Sequence, residues 1–441
     1  MAQADPPLTS DGVPAQLVSA CAEVTAARDA DAVGGRRALY VAAPAATSEA
    51  AALLKAAAEL GLTVVPRGTG SRLDWGAAPE RCDLIVDTHR LNQVLEHAAG
   101  DLVCRVQAGV RLDDLASVLA TAGQRLALDP PGSTGTIGGL ISTGVAGPLR
   151  YRYGAPRDLL IGITVVRADG TIARSGGKVV KNVAGYDLGK LFASSYGTLG
   201  LITEAAFRLH PKPDAATWLT VDSPDPAAAQ AAVRTMADSP LAPAAIELSW
   251  PSAAAPISVA VLLEGDDPSV TGRADRMVAL LSGECGTAGQ RPDHTKRSDR
   301  RLSRTTQAAQ DDSVIKVAFW SGQLAAVLDI VRTAAADQDL DPAVGGSAAA
   351  GVLHVSLPQE AQADAVVRFV AALRAGLTDL TGPVEGLPPT VASAVVLCAP
   401  PKVRDEVDMW GPVPSLALMR AVKDQFDPEH RMAPGRFAGG I

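Results

Sequence analysis

Cysteine is scarce and scattered in this chain. Cys21, Cys82, Cys104, Cys285 and Cys398 are odd in number, and no C-x-x-C pair occurs. That pattern argues against a disulfide framework and supplies no ligand set for a zinc site or an iron–sulfur cluster built by this chain alone; it fits a reducing compartment. Aromatic residues make up only 4% of the chain, which points to helix contacts made by small residues, alanine above all. A basic excess is missing too. With a net charge of −8, the overall field does not favour nucleic acid or an anionic membrane as partner. No window approaches the roughly 18 to 20 continuous apolar residues of a membrane span. The opening "MAQADPPLTSDGVPAQ" has neither a basic n-region nor an apolar stretch. A cytoplasmic protein without a membrane span is the expectation.

What is present is enough material for two or three domains: 441 residues, 47% of them hydrophobic and 20% charged. Residues 1–36 read as a peripheral segment, with a helix from Gln16 to Ala27, and linker. Residues 37–213 open with a β-α-β unit: strand "YVAAP", helix "SEAAALLKAAAELG" closed by Gly61, and strand "LTVVP". A second unit follows, with "LIVDT", "LVCRVQAG" and "RLALDP" as strands and "VRLDDLASVLATAG" as its helix. "LLIGITVVRADG" and "TIARSGG" form a hairpin turning at Asp169-Gly170. From residue 214 to 410 a looser alternation of strands and amphipathic helices marks a second, α+β domain, in which Asp225-Pro226 and Asp267-Pro268 read as an N-cap followed by an N1 proline. Residues 411–441 form a last helix and a Pro-Gly turn that packs back on the first domain.

Two strands end in loops of small residues. "PRGTGS" carries Pro66, Arg67, Gly68, Thr69, Gly70 and Ser71; Gly68 and Gly70 read as positions with φ > 0, which lets successive N–H groups face one concavity suited to a phosphate. The second, "PPGSTGTIGG", carries Gly132, Gly135, Gly138 and Gly139 with hydroxyls at Ser133, Thr134 and Thr136. One such loop alone is as often an empty turn as a site; two in succession shift the balance to a ligand, with donors enough for a diphosphate or a polar ring edge. Neither is a Walker motif, and "GTGSRL" fails the G-x-G-x-x-G fingerprint because Leu73 stands where the third glycine belongs.

Together with "GGKVVKNVAGYDLGKLFASSYGTLGLITEAAFRLHPKP", these loops resemble the FAD-binding domain of the vanillyl-alcohol oxidase/p-cresol methylhydroxylase superfamily, and within it the FAD-binding subunits of glycolate oxidase. The resemblance covers residues 40–213 in detail and the rest in outline. It implies an α+β fold, a two-subdomain PCMH-type FAD-binding domain followed by an α+β cap domain. It also implies that Pro66 to Ser71 hold the FAD pyrophosphate. Pro131, Gly132, Ser133, Thr136, Ile137, Gly138 and Gly139, with Thr143 and Gly144, would run beside the pyrophosphate and isoalloxazine. Gly197, Gly200 and Ile202 would meet the adenine side, Ile202 through its backbone. Superfamily members with covalent flavin commonly carry a histidine after the first loop; here Ser71 and Arg72 stand there, so non-covalent FAD is expected.

Related subunits that oxidise 2-hydroxy acids carry an "HxGDGNxH" metal pattern in the cap. The comparable stretch here, "GGSAAAGVLHVSLP", keeps only His354, which implies no metal and a structural role for that histidine in a strand. Lys178 and Lys181 read equally as cations beside the flavin or as a solvated hairpin edge. The basic run from Lys296 to Gln307 reads as a solvated face or as a docking surface, around Arg297 to Arg304, for an acidic partner. Ala433 stands where relatives often place asparagine in an Asn-Pro-Gly turn. No catalytic residue is assigned. The resemblance implies an FAD-binding subunit of a glycolate (2-hydroxy acid) oxidase or dehydrogenase complex, working with a larger flavoprotein subunit and an iron–sulfur subunit. A self-sufficient FAD-dependent dehydrogenase of another hydroxy acid or alcohol, and a non-catalytic scaffold subunit, stay open beside it.

Overall fold

A computed structural model describes residues 12–132, 135–177, 187–285, 312–380 and 392–441. Ser133, Lys178, Lys181 and the basic run from Lys296 to Gln307 lie outside the described residues. Three main sheets follow one another along the chain. In the first, β1 (Val24–Ala26), β2 (Tyr40–Ala42), β3 (Val64–Arg67) and β4 (Leu84–Asp87) lie in the order β1-β2-β4-β3. Strands β2 and β3 are both parallel to β4, and α1 (Thr47–Glu59) bridges them. Its Leu53, Leu54 and Ala57 bury one face on the sheet, the i, i+4 spacing expected of an amphipathic helix. The segment "LIVDT" thus belongs to this sheet, between the strands of the β-α-β unit, and not to the next one. The N-terminal helix is also shorter than expected: it spans Ala15–Ala20, and Val24–Ala26 has become edge strand β1.

The second sheet, β5 (Val94–Ala98), β6 (Val103–Gln107), β7 (Leu160–Val166), β8 (Ile172–Gly176) and β9 (Leu201–Arg208), is antiparallel in the order β8-β7-β9-β6-β5. The β7–β8 hairpin turns at Asp169-Gly170 as the sequence indicates, with Gly170 at φ 83. Strand β5 has no clear alternation of apolar residues and escapes sequence reading. Of "RLALDP" only Arg125 is in a strand, the short Gln124–Arg125 that pairs with His210–Pro211. Helices α2 (Leu112–Ala120) and α3 (Ile137–Thr143) pack beside this sheet, and α4 (Arg150–Tyr153) is followed by a short helical turn, Pro156–Leu159, that leads into β7.

The third sheet is antiparallel with seven strands: β10 (Ala215–Ser223), β11 (Ala245–Trp250), β12 (Ile257–Gly265), β13 (Ser313–Ala318), β14 (Ala343–Ser347), β15 (Val352–Leu357) and β16 (Ser393–Cys398), ordered β10-β12-β11-β14-β15-β13-β16. Helices α5 (Pro226–Asp238), α6 (Asp267–Cys285), α7 (Leu324–Ala336) and α8 (Ala363–Asp379) cover one face, where Ile246, Leu248, Ile315, Val317, Leu353 and Val355 form the core with Leu328, Phe369 and Leu373. Asp225 caps α5 by accepting from Ala228 N, with Pro226 at the first helical position; α6 instead begins at Asp267 itself. The opposite face looks toward the first half. There Arg125 grips Glu264 through two bonds of 2.9 and 2.6 Å, Tyr153 donates to the same carboxylate, and Leu149 meets Ala245 and Leu262. The last helix, α9 (Leu416–Phe426), and the tail after it return to the first sheet, where Met432 bridges Val64 in parallel.

Candidate functional site

The two glycine loops meet at the carboxyl end of β3. After Arg67 the chain leaves the sheet, and the amide N–H groups of Gly68, Thr69, Gly70 and Ser71 donate no hydrogen bond among the described residues. Gly70 lies at φ 77. Successive free amides about a left-handed residue make an anion-binding concavity. They open onto a cleft that is also lined by Thr136, Gly138, Gly139 and Thr143 of the second loop and by Gly197, Gly200 and Ile202. Pro66 and Arg67 complete the rim on the β3 side.

Contacts between glycines and their neighbours hold these three segments together. Gly68 is not left-handed, contrary to the reading above; it is glycine because a Cβ there would run into Thr136 Oγ1. Gly197, at φ 80, sits on the Pro66 ring, which a Cβ would approach to 3.2 Å. Gly144 ends α3 at φ 63 and leaves no room for a side chain beside Ser194 Oγ. Ser194 and Tyr196 themselves adopt φ 65 and 54. Left-handed non-glycine residues cost on the order of 1 kcal/mol each and gather where function requires a particular backbone course.

Other expected residues do not line this cleft. Ile137 is fully buried in the hydrophobic core. Its amide and that of Gly138 already donate to Val110 O and Ala108 O, and Gly139 N donates to Thr136 Oγ1. The start of α3 therefore offers no spare donors, unlike the first loop. Pro131 uses its carbonyl to accept from Arg72, and Gly132 borders a separate cleft facing β10 and β12.

The charge at the site comes from a different arginine than the motif suggests. Arg67 turns its guanidinium away into ion pairs with Asp31 at 2.8 Å and Asp87 at 2.9 Å, so that despite burial its pKa is raised. It contributes backbone only. Arg72 is half-buried beside the cleft, lies over the Trp75 ring and has no carboxylate partner among the described residues; burial lowers its pKa, an effect that a nearby anion would reverse. Sequence reading also missed Thr88, Ser142, Tyr196 and Arg436, all at the cleft. Arg436 is buried, donates to the carbonyls of Leu73 and Trp75 and is pushed down to about 10 by burial. Tyr196 meets Trp410 and Phe437 at ring distances of 4.9 and 5.7 Å. Only tertiary folding brings these C-terminal groups to the first loop.

A buried clasp fixes the C-terminal segment. Lys423, with 0% side-chain exposure, donates to Asp427 at 2.7 Å, Thr198 O at 2.7 Å and Met432 O at 2.9 Å. Asp427 in turn accepts from the amides of Arg431 and Met432. One ammonium thus ties α9 to the turn between Gly197 and Gly200. Ala433, where relatives often carry asparagine, is buried at φ 43 and donates its amide to Val64 O.

Unpaired amides, a glycine-lined cradle and an uncompensated arginine suit the diphosphate of FAD. Comparison with known proteins agrees. Residues 38–176 match the FAD binding domain family, and residues 408–437 match the C-terminal domain of FAD linked oxidases. The chain is 41% identical to glycolate oxidase subunit GlcD of Bacillus subtilis over 175 residues, 40% of this chain and 37% of that one. It is 36% identical to glycolate oxidase subunit GlcE of Escherichia coli over 158 residues, 35% of this chain and 45% of that one. It is 35% identical to D-lactate dehydrogenase of Archaeoglobus fulgidus over 181 residues, 41% of each chain. The matches span less than half the length of these curated relatives. The fold extends further: p-cresol methylhydroxylase superposes with a TM-score of 0.68 at 16% identity, over 96% of this chain and 95% of that one. Among the described residues no group of three His, Cys, Asp or Glu is placed to hold a metal, and no helix is long and apolar enough to cross a membrane.

Proposed function

We propose, from the premise that residues 38–176 belong to the FAD binding domain family, that this chain is an FAD-dependent oxidoreductase acting on a small 2-hydroxy acid such as glycolate. The observation that carries the reading is the row of unpaired amides from Gly68 to Ser71 facing Thr136. These amides and Arg72 would hold the diphosphate, and the turn from Gly197 to Ile202 would meet the adenine. Bound there, FAD supplies a two-electron acceptor. The chain's own part is to orient it and exclude water, with residues 37–213 as the FAD-binding domain, 214–410 as the cap and 411–441 as the segment that closes on the first loop. With Ser71 and Arg72 after the first loop, FAD is held non-covalently.

The relatives named as glycolate oxidase subunits support a role as the FAD-binding subunit of such a complex; a place in the cytoplasm beside a larger flavoprotein and an iron–sulfur protein is part of the same proposal. Similarity to D-lactate dehydrogenases favours a second reading, a self-sufficient dehydrogenase. Purified protein should be yellow and release FAD on acid denaturation. Colourless protein that takes up no added FAD would overturn the proposal. Anaerobic bleaching by glycolate or D-lactate with this chain alone would select the second reading; bleaching only with partners present would select the first.

A further inference from the structure

The two edges of the third sheet are finished differently. Along β16 the chain covers its own edge: Val396 N donates to Met409 O, Leu397 O accepts from Gly76 N, and Ala394 O accepts from Arg374 Nε. Along β10 it does not. All nine residues of that strand pair with β12, and beyond this ladder no backbone group from Ala215 to Ser223 makes a hydrogen bond among the described residues. An antiparallel edge turns the N–H and C=O of every second residue outward, so β10 presents a row of open backbone groups. Nothing blunts it. The strand has no proline, no lysine and no register shift, and Thr217, Thr220 and Val221 are β-branched.

Beside this edge, on the sheet face away from the helices, lies a groove. Leu219 joins the helix-side core, whereas Trp218 turns the other way, to Leu149 and Leu262. Ala216, Trp218 and Leu262 line the groove on the cap side, and Leu112, Leu126 and Leu128 line it on the side of the first half. Because side chains alternate along a strand, a segment added to β10 sets every second side chain over this apolar floor. The others turn toward α6, which packs over β10. On that helix Arg273 reaches inward to the carbonyls of Leu241 and Glu264. Asp275, two residues and thus about 200° further round, overhangs the open edge. Asp214, Asp222 and Asp266 are exposed around the same strand, and none of these carboxylates has an ion pair among the described residues. Lys212 and Arg276, also exposed, offset their charge only in part. A second copy of β10 would gather the same carboxylates twice over.

We propose that the edge of β10 and the groove beside it dock an extended segment of a partner protein in which apolar residues alternate with lysine or arginine. Backbone bonds of the added strand supply affinity, and its alternate side chains supply the choice of partner. The apolar ones lie over Trp218 and Leu262. The basic ones face Asp275 and, at the two ends of the strand, Asp214 and Asp222. The flavin plays no part in this contact.

Fluorescence anisotropy of the purified full-length chain with a fluorescein-labelled peptide of alternating valine and lysine tests the site, with glutamate replacing lysine in a control peptide. The lysine peptide should bind at one per chain, and the glutamate peptide about tenfold more weakly or worse. Asp222→Lys and Asp275→Lys alter exposed side chains only, so each should weaken the lysine peptide several-fold while the melting temperature stays unchanged. Thr220 and Val221 are adjacent, so one of their two N–H groups points outward and the other bonds β12. Of Thr220→Pro and Val221→Pro, the variant that removes the inward N–H should melt lower; the variant that removes the outward one should lose peptide binding about tenfold with little change in melting. No saturable binding, equal affinity for the two peptides, or binding untouched by both prolines overturns the proposal. A wild type that sediments as a dimer and becomes monomeric with one of these prolines would place a second copy on the edge and overturn the assignment to a partner.

Discussion

Gly68 lies against the Thr136 side chain so closely that a Cβ at position 68 would meet Thr136 Oγ1. This contact joins the two glycine loops across the cleft. Gly70, two residues on, has open space where a Cβ would go and is glycine for its φ of 77 instead. The two glycines should therefore respond differently. Gly68→Ala should strip FAD from the protein, because the loops must part. Gly70→Ala should cost only about 1 kcal/mol of backbone strain and keep most of the FAD. In the Gly68→Ala background, Thr136→Ala should restore part of the lost affinity, a coupling measured by fluorescence titration of the apoprotein with FAD. Strictly additive losses would count against the contact.

Lys423→Met leaves the buried Asp427 carboxylate without its countercharge and frees Thr198 O and Met432 O. A loss of about 3 to 5 kcal/mol in denaturant unfolding is expected. The double variant Lys423→Met/Asp427→Asn should lose clearly less than the sum of its single changes. Because Thr198 belongs to the turn between Gly197 and Gly200, FAD affinity should fall along with stability.

Arg67 and Arg72 should separate stability from binding. Arg67→Met breaks the pairs with Asp31 and Asp87 and should lower the melting temperature. Arg72→Met removes a cation that has no carboxylate partner among the described residues and should weaken FAD binding about tenfold with little change in melting. The reverse pattern would mean that Arg67 is the phosphate ligand.

The buried carboxyl of Glu247 makes stability depend on pH. Its pKa rises from 4.5 to about 8, mainly through burial and then through Asp129. The folded state thus holds a proton that the unfolded chain has already lost, and stability falls as pH rises through that window, by at most about 1.4 kcal/mol per unit. Below the unfolded value and above the folded one the contribution is flat. Glu247→Gln lacks this slope, so the variant should gain on wild type steadily between those limits in urea unfolding. A constant difference across the window would show that Glu247 titrates normally.

Much of the fold was legible locally. The β-α-β unit, the Asp169-Gly170 hairpin and the Asp225-Pro226 cap rest on periodicity and turn chemistry that operate within a few residues. The glycine loops were legible as a class of site for the same reason, since only small residues leave backbone amides uncovered. Their internal logic was not. Whether Gly68 is glycine for its φ or for a neighbour, and whether Arg67 or Arg72 carries the free charge, depends on Thr136, Asp31 and Asp87, which lie far along the chain. Strand β4 reads correctly as a strand, yet its place between β2 and β3 is set by pairing across the sheet. Arg436 and Lys423 carry no local signature. Alternation told that His354 sits in a strand; only the packing of helices on one face and α4 on the other decided that it looks away from the core, toward Arg150.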